Sequence, residues 1–179
     1  MGSAKPRRIE ERIARELWLA LALLGLALAQ AALMPRMLGN APNLLLLMTI
    51  CQALIAGPAD AARWALYGGL ALDLSADTAL GAHALALLAA VLVAAPVLAR
   101  FSRGNWLLPL IGVLLGSLAY HGLLAVLMFL LVAPMSPRTY ALVVALPATI
   151  LVLVPALPVF LSMRWLEIRR RGEVPVDVY

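Results

Sequence analysis

Four apolar runs, Leu17–Met34, Gly81–Ala99, Trp106–Val132 and Tyr140–Met163, constrain this chain more than any other feature. Crossing about 30 Å of hydrocarbon takes about 20 helical residues, so each run is long enough to span a bilayer. Segments of alternating apolar and polar residues, the mark of a membrane barrel, are absent. Of the 179 residues, 64% are hydrophobic and 13% charged, an excess too large for one water-soluble core. The expectation is an all-α integral membrane protein.

The first run needs separate treatment. A basic start, an apolar stretch and Ala27-Leu28-Ala29 imitate a secretory signal. The long leader with Glu10, Glu11 and Glu16 argues instead for a retained first helix. Within that leader Ile9, Ile13 and Leu17 recur every fourth residue, with Arg8, Arg12 and Arg15 on other faces. Two readings fit: an amphipathic helix lying on the leaflet, or plain anchoring charge.

Two shorter runs, Pro42–Ala56 and Ala61–Leu74, lie between the first two long ones and meet at Gly57-Pro58. At 1.5 Å per residue each reaches only about 22 Å, so they form thin spans or a re-entrant hairpin. Counting both gives a bundle of about six transmembrane helices, near 17–38, 42–56, 60–75, 81–99, 106–133 and 139–163. Residues 1–16 then form a cytoplasmic N-terminal segment, 17–166 the transmembrane domain and 167–179 a cytoplasmic tail. In this arrangement twelve basic residues, from Lys5 to Arg171, share one face, and only Arg36 and Arg138 lie on the other. The positive-inside rule makes the twelve-residue face, and both termini, cytoplasmic. Trp18, Trp64, Trp106 and Trp165 all fall near cytoplasmic span ends, where an indole anchors at headgroup depth. Trp64 fits there only if the third segment starts at that face, which favours six spans. The formal charge of +5 is thus topological, and no nucleic-acid surface is expected.

Polar groups within the runs are few: Asp73, His83 and His121, with Gln30, Asn43, Gln52, Ser117, Tyr120 and Thr149. Asp73 either fixes the following turn through backbone hydrogen bonds or meets a partner. No histidine, cysteine or acid stands at metal-ligand spacing, so neither metal nor cofactor is expected. Tyr120-His121 is read as interhelical hydrogen bonding, since a proton relay needs several titratable groups across the bilayer. Ala61, Ala65, Gly69 and Asp73 make one stripe, and Gly112, Gly116 and Tyr120 another; both are packing or partner faces. Pro147, Pro155 and Pro158 should kink the sixth helix.

One enzymatic pattern is imitated and fails. Asp60-Ala-Ala-Arg63 followed by Gly69-x3-Asp73-x3-Asp77 looks like the CDP-alcohol phosphotransferase motif, which gathers carboxylates around divalent metals. Two earlier acidic positions are missing, and five residues separate Arg63 from the next motif glycine where that motif has eight. The six-span topology also sends Asp60 and Asp73 to opposite faces, whereas metal catalysis requires converging ligands.

Pro42-Asn43-Leu-Leu-Leu-Leu, Gly57-Pro58, Gly69-Leu70-x-x-Asp73-Leu74 and Leu80-Gly81-x-x-Ala84-Leu85, in that order, resemble the rod-shape-determining MreD family. The match covers roughly 42–85; elsewhere only hydropathy agrees. The resemblance implies a non-enzymatic scaffold of the bacterial inner membrane that binds the single-span protein MreC. It would help couple cytoplasmic MreB filaments to peptidoglycan synthesis. MreB, the peptidoglycan synthases and a second copy of the chain are further candidate partners beside the lipid bilayer. It also implies an architecture similar to the substrate-binding subunits of energy-coupling-factor vitamin transporters. Carried over by position, Pro42, Asn43, Gly57, Pro58, Gly69, Asp73 and Gly81 shape the fold or the partner face. The alternative function is such a vitamin-binding subunit, against which an aromatic content of 6% counts mildly.

Overall fold

The computed structural model describes residues 9–33, 42–76, 79–100, 107–131 and 136–171. Among these, every regular element is helical: α1 (Ile9–Leu33), α2 (Leu44–Ile55), α3 (Pro58–Ser75), α4 (Ala82–Leu98) and α5 (Leu108–Leu131). The remainder is α6 (Pro137–Tyr140), a π-helical turn over Ala141–Ala145, α7 (Leu146–Leu153) and α8 (Ala156–Arg171). Helices α1 and α5 are long and apolar enough to cross a membrane, and the bent C-terminal pair counts as a third span if taken as one.

The centre of the bundle is the shortest of the first five helices. Leu45, Leu46, Leu47, Ile50 and Cys51 of α2 are all fully buried. A helix apolar all round belongs inside, and α2 is enclosed by α3, α4, α5 and α8. Its 12 residues are too few to cross a bilayer comfortably, and the neighbouring helices cover their apolar side chains. At its end Gly57 takes φ +101° and Pro58 occupies the first turn of α3, where its missing N–H costs nothing.

Helix α1 is peripheral. Leu23 and Ala27 pack with Leu45 and Ala71, while Leu17, Trp18, Leu21 and Leu28 stay exposed. From Ile9 the leader is continuous with the apolar run, α1 being unbroken to Leu33; residues 1–8 of the expected N-terminal segment lie outside the described residues. The expected end of this helix near 38 falls outside the described residues.

The sixth segment is kinked, as its prolines lead one to expect: it bends by 49° between Leu153 and Ala156, and α8 continues as helix to Arg171. Of the three prolines, Pro155 sits at the break. Pro147 has no N–H for the carbonyl one turn back, and the backbone widens into the π-turn directly before it. Pro158 lies in the first turn of α8 and need not bend anything.

Candidate functional site

The residues of the 42–85 motifs converge on the joint between α2, α3 and α4. Asn43 caps α2, its Oδ1 accepting from Leu46 N at 3.0 Å, and Gln30 Oε1 of α1 accepts from Leu44 N at 2.9 Å. Pro42 precedes that cap, and its carbonyl accepts from Leu44 N. Asp73, 4% exposed, lies in the last turn of α3 and reaches the N-terminus of α4. Its Oδ2 accepts from Gly81 N at 2.8 Å and Ala84 N at 3.4 Å, and its Oδ1 from His83 N at 2.9 Å. These are orphan donors of the first helical turn, where a negative charge also meets the positive end of the helix dipole. Gly81 takes φ +94°, a left-handed conformation open to glycine, and so presents the amides to Asp73.

The Ala61–Ala65–Gly69–Asp73 stripe faces inward. Ala61 and Ala65 are fully buried in the core, and a Cβ on Gly69 would lie 2.2 Å from Ala84 Cα. The second stripe behaves likewise: Gly112 faces Leu98 and Ile50, and Gly116 faces Ile50. Neither stripe is a free partner face, because each is filled by the chain itself. Of the two readings given to Asp73, backbone capping is the one formed.

Beside this joint runs a line of polar side chains. His83 Nδ1 and the Tyr120 hydroxyl are 2.6 Å apart, and Asn43 also lies beside that hydroxyl. Tyr120 meets His121 edge-on, and His121 Nδ1 stands 3.5 Å from the Tyr140 hydroxyl. Interhelical bonding through Tyr120 is as the sequence suggested. Tyr140 was missed as a member, having served only as a run boundary. The available signal was that adjacent helical residues diverge by about 100°, so a Tyr120-His121 pair needs two partners on different elements. Ser117 and Thr149, both buried, bond at 2.7 Å between α5 and α7.

The His121 end of this line opens into a cleft of about 510 Å³ between α5 and the α6–α7 segment, lined by Ser117, His121, Tyr140 and Thr149 among apolar residues. A second cleft, of about 640 Å³, lies at the Gly57-Pro58 end and is lined mainly by apolar residues of α4, with others from α2, α3, α5 and α8.

At that same end Arg63 pairs with Glu16 Oε1 at 2.6 Å and with Asp60, tying α3 to α1. Trp64 is half-buried in the α1–α3 contact, Trp18 is exposed, and Trp165 carries the Arg169 guanidinium 3.6 Å above its ring. Trp106 lies outside the described residues. Asp60 and Asp73 sit at opposite ends of α3, thirteen residues or about 20 Å apart, so the imitated metal motif does not converge. Among the described residues no three of His, Cys, Asp and Glu gather to hold a metal ion.

Comparison of the chain with family models, with curated proteins and with solved structures gives no match.

Proposed function

We propose that this chain is a non-enzymatic scaffold of the bacterial rod complex, of the MreD type, that binds MreC in the inner membrane. In this reading α1 to α5 and the bent C-terminal segment make six crossings, with both termini cytoplasmic. The observation that carries it is the α2–α3–α4 joint. Asn43, Gly69, Asp73 and Gly81, residues that carry the family resemblance, serve helix caps and a backbone contact. Such residues specify an architecture, as befits a protein whose work is to hold others. Two features support the membrane setting. Leu21 of α1, Leu85 and Leu92 of α4, Leu130 of α5 and Val154 just past α7 are exposed, more apolar surface than a water-soluble monomer leaves bare. The Glu16–Arg63–Asp60 cluster and Trp165 mark one end of the bundle.

Depletion of the protein in a rod-shaped bacterium tests the reading. The expected result is loss of rod shape, with restoration by the native gene. Cells that stay rod-shaped after the protein is gone contradict it.

The cleft beside His121 favours one second reading, a vitamin-binding transporter subunit similar in architecture. Thermal unfolding with vitamins distinguishes the two, because a true ligand raises the midpoint by mass action.

A further inference from the structure

The cleft at the Gly57-Pro58 end is chemically uniform. Among the described residues that line it, none has a side chain able to donate or accept a hydrogen bond: all are Ala, Gly, Val, Leu, Pro or Phe. A polar ligand would lose its water there and gain no side-chain partner. The rim is open, with Leu92, Pro96 and Ala99 exposed. Such a wall suits an aliphatic occupant.

Length and charge narrow the choice. Along α4 the cleft runs from Leu88 to Ala99, eleven residues or about 17 Å. One leaflet's share of ~30 Å of hydrocarbon is about 15 Å, so the cleft has the depth of a single leaflet. A partner's transmembrane helix would need a seat through both. At the Ala99 end the arginines differ in how far they are engaged. Arg63 is held by Glu16 and Asp60, and Arg169 lies over Trp165. Arg100, next to Ala99, and Arg164, one turn beyond Phe160 on α8, are exposed and in no ion pair among the described residues. The cations that flank the cleft are thus the ones left open. Basic residues beside an apolar crevice at headgroup level complement a phosphate carried on an acyl chain.

We propose that this cleft seats an acyl chain of an anionic phospholipid from the leaflet at this end, its headgroup phosphate held by Arg100 and Arg164. The inference rests on the bundle lying in a membrane and not on MreC. The full chain, purified in mild detergent, is titrated with phosphatidylglycerol and with phosphatidylcholine of the same chains, and binding is read by native mass spectrometry. Phosphatidylglycerol should bind about twenty-five-fold tighter, about fivefold for each of two basic residues near an anionic surface. Arg100→Gln and Arg164→Gln should each remove about fivefold and leave phosphatidylcholine unchanged. Arg15→Gln, equally exposed but on α1, which packs on α2 and α3, should change neither. Leu92→Trp, at an exposed rim position, should fill the cleft and weaken phosphatidylglycerol about tenfold with helical content unchanged, the worth of about two methylene groups kept from apolar contact. Equal binding of the two lipids overturns the site. So does an Arg15→Gln loss matching that of Arg100→Gln, which would mean diffuse surface charge, or a Leu92→Trp protein that binds as the native one does. None of these results bears on co-purification with MreC, so the scaffold reading stands or falls separately.

Discussion

Gly69→Ala is the smallest change that attacks the architecture where the chain is tightest. The added methyl would lie 2.2 Å from Ala84 Cα and 2.5 Å from Ala84 N, against an optimal carbon–carbon contact of about 3.5–4.0 Å. The obstacle is backbone, so no side chain can swing away, and α3 and α4 must part by about 1.3 Å or more to reach the lower edge of that range. One turn further on, Asp73 holds the amides of Gly81 and His83 at 2.8 and 2.9 Å, and a displacement of that size takes both beyond bonding range. Overpacking alone costs about 1–3 kcal/mol. Weakening two charge-assisted bonds brings the expected loss to about 3–5 kcal/mol. Reversible unfolding in mixed micelles, followed by circular dichroism, measures it. Gly25→Ala is the control: a Cβ there meets nothing within 4 Å, so it should be neutral or stabilise slightly through helix propensity. A Gly69→Ala protein within about 1 kcal/mol of native would refute the close-approach reasoning.

Three other substitutions probe the remaining joints. Asp73→Ala strips the cap from α4 and should cost about 2–4 kcal/mol, with Asp73→Asn, which keeps one acceptor oxygen, losing about half as much in the same unfolding assay. Gly116→Ala brings a methyl within 2.7 Å of Ile50 Cδ1 and 2.9 Å of its Cγ1, a movable side chain, so about 1–2 kcal/mol is expected, and Ile50→Val, which removes only the nearer atom, should recover part of it. Pro155→Ala restores a backbone donor at the break and should reduce the 49° bend, read as a longer distance between spin labels at Leu142 and Leu166.

What could be read from the chain alone followed the strength of each signal. Long apolar runs gave the helices, because hydrocarbon length and helical rise leave few alternatives. Asp73 was legible as a turn-fixing carboxylate, since an acid beside a polar turn has nearby amides to bind. The small-residue stripes were legible as packing faces but not as to whose helix fills them. Gly69 meets Ala84 and Gly116 meets Ile50, and both are choices of three-dimensional pairing that spacing on one helix does not encode. The polar line from His83 to Tyr140 joins residues 37 and 19 apart in sequence, so no local pattern announces it. The prolines announced a disturbance. That Pro155 breaks the helix while Pro158 is absorbed in a first turn depends on where α8 restarts.

Extraction of inner membranes in mild detergent, with the chain and MreC co-expressed at native level, tests the scaffold assignment most directly. Co-elution of the two on size exclusion, retained after extended washing, is the expected result. A chain that elutes alone while its helical content and unfolding midpoint are intact would contradict the assignment.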